Sequence, residues 1–140
     1  MNIVTVDIKA KLIATGDVQA TATKAWFISL HSLPPTPRKC VALVAPGTGR
    51  TQYVMDTARD PWEEGGFQIF VRGEGYNSTW QKIDAIVKVL ARLGRFVEGG
   101  ASYSGVTQNG EIGEFSSDEK NGLYTFVTNM TAHRQGTAGV

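Results

Sequence analysis

The stretch FQIFVRGEGYNSTWQKIDAIVKVL, Phe67 to Leu90, decides the fold. Its first residues alternate, with Phe67, Ile69 and Val71 on one side and Gln68, Phe70 and Arg72 on the other. A period of two with one apolar face is the signature of a half-buried strand. Beyond Gly73 and Gly75 the period changes. Trp80, Ile83, Val87 and Leu90 fall on one helical stripe, widened by Ile86 and Val89. Ser78 followed by Gln81 suits a capping box at the start of that helix, which should run to about Leu93. A stripe so broad needs a sheet to lie on. The apolar strand face and the helix stripe are therefore expected to pack together.

The junction raises a chemical question, because Gly73-Glu74-Gly75-Tyr76-Asn77-Ser78 nearly matches the dinucleotide fingerprint G-x-G-x-x-G. The third glycine, which lets helix and strand approach closely, is replaced by Ser78. The acidic residue that should follow at the end of a second strand falls instead in the end of the helix and a loop, and Glu74 would face the phosphates with a carboxylate. The glycines are read as a tight turn. Val44 to Thr51 resembles a phosphate-binding loop only superficially. Valine stands where that loop needs a glycine, and Arg50 where it needs a lysine.

Outward from this unit, Val4, Ile8 and Leu12 recur every four residues before Gly16, a short amphipathic helix with a glycine C-cap. Trp26, Ile28 and Leu30 alternate with Phe27, Ser29 and His31 as a strand does. LPPTPRK is a stiff connector, and KCVALVAP is a second, buried strand. Residues 46–66 are polar and irregular and read as a long loop, of a length that inside a compact domain is usually functional or disordered. After the helix, ASYSGVTQNGEIGEF and GLYTFVTNMTAHR read as two or more strands. Asn109-Gly110 is a candidate hairpin turn within the first, and residues 135–140 form a mobile tail. Helices and strands out of strict alternation point to α+β: a mainly antiparallel sheet with two helices packed on one face and one long loop. The 140 residues fit a single domain, 1–140.

The net charge of +1 provides no global field for nucleic acid. Cys40 is the only cysteine, which excludes an internal disulfide and any multi-cysteine metal site, and its apolar surroundings make it a small buried hydrophobe. His31 and His133 lack ligand spacing, no serine sits in a nucleophile elbow, and Asp60, Glu63 and Glu64 read as a solvated loop face. No catalytic, cofactor or metal site is expected, so the chain is not read as an enzyme. No apolar run of about 18 residues could span a membrane, and no signal peptide opens the sequence, which suggests the aqueous compartment in which the chain is made. The alternative reading is a small nucleic-acid-binding α+β module with Phe27 and Phe70 as stacking aromatics, although no RNP pattern accompanies them.

Taken in order, LHSLPPTPRKCVALVAPGTG, GFQIFVRG with its helix, and GLYTFVTNMTAHR resemble the tail terminator (tail completion, minor capsid) proteins of long-tailed bacteriophages. In that family a proline-broken hairpin precedes an apolar-Gln-apolar-x-Val-Arg strand, and a late strand ends in Thr-x-x-Arg. The resemblance implies an α+β subunit of a hexameric ring on the head-proximal end of a tail tube. Such a ring stops tube growth and joins the head connector. It also implies a virion protein assembled in the host cytoplasm, with partners in itself, the tube protein and the head completion protein, and phage DNA passing through the lumen unrecognised. The long loop departs from the family pattern, and its Trp62 and Arg59 are candidate interface residues. Arg72, on the face away from the helix, is a candidate to fix a carboxylate across a subunit contact, with Glu74, Glu111 or Glu114 as partner.

Overall fold

The unit read from Phe67 to Leu90 forms as its periods require, and the rest of the chain is organised around it. The computed structural model describes residues 3–45, 50–52 and 62–136. In chain order the elements are α1 (Val4–Thr15), β1 (Phe27–Ser29), β2 (Cys40–Val44), β3 (Arg50–Gln52), β4 (Trp62–Glu74), α2 (Tyr76–Arg92), β5 (Phe96–Glu98), β6 (Ala101–Asp118) and β7 (Leu123–Gly136). Among the described residues the strands make one seven-stranded sheet, ordered β1-β2-β4-β7-β6-β5, with β3 against the beginning of β4. Every strand pairing but β1–β2 is antiparallel. Both helices lie on the same face. A Cβ on Gly65 would strike Val4 of α1 and one on Gly73 would strike Thr79 of α2, and these glycines share a strand face with Phe67, Ile69 and Val71. The architecture is α+β in one domain.

The core lies between that face and the two helices. Ile8 and Leu12 of α1, Ile83, Ile86, Val87 and Leu90 of α2, and Phe67, Ile69, Val71, Phe126 and Met130 of the sheet belong to one buried cluster. Cys40 is buried as well, and burial pushes its thiol pKa up. Gly16 ends α1 in the left-handed conformation, its N–H donating to the Ile13 carbonyl.

Several expectations need correction. Trp80 does not belong to the buried stripe: it is 39% exposed, and Thr79 is buried in that part of the helix. Nor does Ser78 cap the helix. Gly75 is the N-cap, and the Ser78 and Thr79 hydroxyls donate back to the carbonyls of Glu74 and Gly75. Residues 46–66 are not one loop, since β3 and the start of β4 pair within them, Arg50 opposite Glu64 and Gln52 opposite Trp62. Glu63 and Gly65 broke the apolar alternation because the covered face there holds an ion pair and a close approach by α1 instead of large side chains. Between β1 and β2 the chain does not turn as a hairpin. The proline segment returns it to the same end of the sheet, so the two strands run parallel. Asn109-Gly110 is a bulge within β6: the register shifts between Asn109 and Gly113, and Gly110 takes a positive φ of 86°. Residues 135 and 136 do not belong to a tail, since β7 continues to Gly136 and Gln135 is buried; the rest of that expectation, 137–140, lies outside the described residues.

Candidate assembly surfaces

The strand-to-helix junction is filled by its own chain. Gly73 is held against the Trp26 ring and the Thr79 hydroxyl, where a Cβ would come within 3.1 and 2.6 Å. Gly75, at φ 86°, donates its N–H to the Gly122 carbonyl at 3.3 Å. The glycines serve close packing of helix, strand and hairpin turn, and the first-turn hydroxyls point back into the chain.

Arg72 stands on the face away from the helices, as its position in the strand requires, but its donors are engaged within the chain. Its Nε donates to the Arg38 carbonyl at 3.0 Å, and its Nη2 reaches the carbonyls of Pro34, Pro35 and Pro37, the last at 2.9 Å. A proline-rich segment has few N–H donors with which to satisfy its own carbonyls or join a sheet. One planar guanidinium ties this one across β4. Arg72 therefore positions the segment 34–38, a role that the sequence did not disclose because the acceptors are backbone atoms. Replacing Arg72 with alanine removes charge-assisted bonds of a kind worth about 1.5–3 kcal/mol net where buried and less where, as here, they are partly exposed. We expect a net stability loss of about 2 kcal/mol, read as a shift in the urea midpoint, rather than the near-zero change of a solvated surface arginine. An unshifted midpoint would leave the segment held by its prolines alone.

Next to the tied segment, Leu33 and the uncovered sheet face enclose a groove. One hollow of about 380 Å3 lies among His31, Leu33, Val44, Phe70 and Phe115, and an adjoining one of about 300 Å3 among Leu33, Arg72, Phe115, Asp118 and Thr125. Phe115 is 62% exposed. Phe70 packs edge-on against it with ring centroids 5.1 Å apart, so it presents no open stacking platform of the kind the nucleic-acid reading needs. Glu74 ends β4 half-exposed, 3.6 Å from the Arg38 guanidinium. Trp62 is described in its backbone only, opposite Gln135 of β7, and Arg59 lies outside the described residues.

At the other end of the covered face lies a cluster that sequence reasoning missed. Asp7 of α1 and Tyr103 of β6 are each 1% exposed, and Arg134 of β7 is 7% exposed. The Tyr103 hydroxyl donates to Asp7 Oδ2 at 2.5 Å, and Arg134 Nη1 lies 3.3 Å from that hydroxyl and 3.5 Å from the carboxylate. Arg134 Nε donates to Glu63 Oε2 at 3.1 Å. Only the Arg134 of the Thr-x-x-Arg ending carried a signal, and its partners are too remote in sequence to be paired by eye. So buried a cluster admits no substrate; it fastens α1 to β4, β6 and β7. Among the described residues no three His, Cys, Asp or Glu side chains are grouped to hold a metal ion.

Burial and the bond to Asp7 push the Tyr103 pKa well above its ordinary value. The folded state thus favours the neutral phenol. Its contribution is fully present below the unfolded value of 10.0 and is lost as pH climbs above it. In a spectrophotometric alkaline titration, Tyr103 should ionise only well above the ordinary phenol range, in step with unfolding. A Tyr103→Phe variant with the same alkaline profile would contradict this.

Comparison with known proteins bears on what these surfaces serve. The model of a family described as bacteriophage tail terminator protein matches residues 9–135. The chain belongs to the bacteriophage tail terminator family. The terminator match includes the clamp of Arg72, the bulged β6 and the Thr131–Arg134 ending, and it makes the chain a structural phage tail protein. No curated protein matches the sequence. Among solved structures, a chain from the "Virion of native gene transfer agent (GTA) particle" superposes with a TM-score of 0.66 at 15% identity, covering 96% of each chain. At that identity the likeness is one of fold.

Proposed function

We propose that this terminator-family subunit forms a homohexameric ring on the head-proximal end of a tail tube, stops tube polymerisation, and presents the surface that meets the head completion protein. Ending a polymer is a matter of shape: one face of a ring must fit the tube, and the other must not offer the tube's own surface again. No bond is made or broken, so the subunit works without catalysis. DNA passes the lumen without base contacts, and the ring is built in the host cytoplasm as a part of the virion.

The observation that carries this reading is the sheet margin at β6. The strand pairs with β7 along its length, while β5 covers only Ala101 to Tyr103. Ser104 to Asp118 therefore keep one side open among the described residues. Bulges and the exposed Glu111 and Glu114 interrupt that margin, a device that prevents indiscriminate strand pairing and leaves a defined contact to a chosen neighbour. Glu74, Trp62 and Arg59 remain proposed contact residues, and Arg72 contributes by holding the segment 34–38 in place. Native mass measurement of the subunit alone and with purified tail tubes tests the reading: it predicts six copies per tube end. A subunit that stays monomeric in the presence of tubes would overturn it.

A further inference from the structure

Helix α2 separates two surfaces of opposite character. Trp80 and Lys82 are two residues apart and so point about 200° apart around the helix. On the side of Lys82, its ammonium donates to the Asp17 carbonyl at 2.6 Å and stands 5.1 Å from the Trp26 ring; Lys39 lies 5.8 Å from the same ring. Lys24, two residues before that tryptophan, is exposed. This flank carries three lysines, and the Asp17 carboxylate acts on one of them, Lys82. On the side of Trp80, a hollow of about 330 Å3 is lined by Trp80, Asp84, Gln108, Gly110, Glu111 and Ile112. Tyr76, 52% exposed, stands one turn before Trp80. Asp84 is paired with Lys88 at 2.7 Å, whereas Glu111 is exposed and has no ion pair among the described residues.

The two flanks belong to opposite margins of the sheet. Trp26 and Lys39 immediately precede β1 and β2 at one end of the strand order, and the hollow is built on the β6 bulge near the other end. We propose that these flanks are the two halves of one contact between copies of this chain. Lys24 and Lys39 of one subunit face the Trp80 and Glu111 hollow of the next. The inference rests on the ring reading and names its surface. Unlike patches at opposite margins make a head-to-tail contact, the kind that generates rings, whereas a patch that meets itself gives a two-fold dimer. The pairing also suits the chemistry. Lysine ammonium groups are attracted both to an indole face and to a carboxylate, and exposed tryptophans in hollows are where interfaces concentrate their energy.

The test is a charge swap at two exposed side chains that the fold does not use. Glu111→Lys and Lys24→Glu are made singly and together, circular dichroism confirms folding, and ring formation on tail tubes is followed by native mass measurement. Each single reversal should weaken assembly by about tenfold or more, and the double variant should recover most of the loss, as expected for close charge pairs across an interface. Wild-type rings with both single variants assembling normally would overturn this contact and leave the ring standing. Single losses without recovery in the double variant would likewise overturn the pairing. Absence of wild-type rings would overturn ring and contact together.

Discussion

Replacing Arg134 with methionine is expected to destabilise the subunit by about 3–5 kcal/mol, the usual cost of removing one partner from a buried ion pair. The guanidinium lies 3.5 Å from Asp7 Oδ2 and is buried with it beneath α1. Its loss leaves a carboxylate in a region from which water is excluded and also releases Glu63, 3.1 Å away on β4. Because domains of this size are stable by only about 5–15 kcal/mol, the variant should sit near the edge of folding. The companion experiment is the double variant Asp7→Leu with Arg134→Met. Exchanging both charges for apolar groups of similar size is often close to neutral, so the pair should recover much of what the single change loses. Chemical denaturation of the four proteins of this cycle measures the coupling. A single variant within about 1 kcal/mol of wild type would show that the cluster fastens nothing.

Val87→Asp is the second large effect. Val87 is 4% exposed within the cluster that joins α2 to Ile69, Val71 and Phe126. An unpaired carboxylate there costs several kcal/mol, or the group takes up a proton and still loses the packing. Ala85→Asp on the exposed side of the same helix should cost about 1 kcal/mol or less, mostly helix propensity. The contrast between the two separates burial from any general intolerance of α2 to aspartate. A soluble, cooperatively folding Val87→Asp protein with a near-native midpoint would refute the packing of α2 on β4.

These two predictions mark what was and was not legible in the residues. The Val87 contact is local: one strand, a short link and one helix, each with a clean period, so the sequence announces it. The Arg134 cluster is not. Tyr103 and Asp7 are 96 residues apart and Arg134 and Glu63 are 71 apart, so only the sheet register and the packing of α1 on the sheet bring them together. The same cluster hid the beginning of β4. Glu63 and Gly65 face the covered side, where the chain needs an ion pair and room for Val4, and a strand whose inward positions are acidic or glycine looks like a loop. Arg72 shows the other limit. Alternation placed it on the correct face, but pattern reasoning has no access to backbone carbonyls, and these are what it binds. At β6, polar and glycine residues read as turn chemistry where the strand only bulges, since beyond Val106 nearly every residue is exposed and neither face demands apolar side chains.

The central claim, that this subunit ends tail growth as a ring, is most directly tested by electron microscopy of tails assembled with and without it. With the protein, tails of uniform length carrying a ring at the head-proximal end, and joined to heads, are predicted; without it, tubes that grow past that length and remain headless. Tubes of the same length in both preparations, with heads attached in both, would contradict the account.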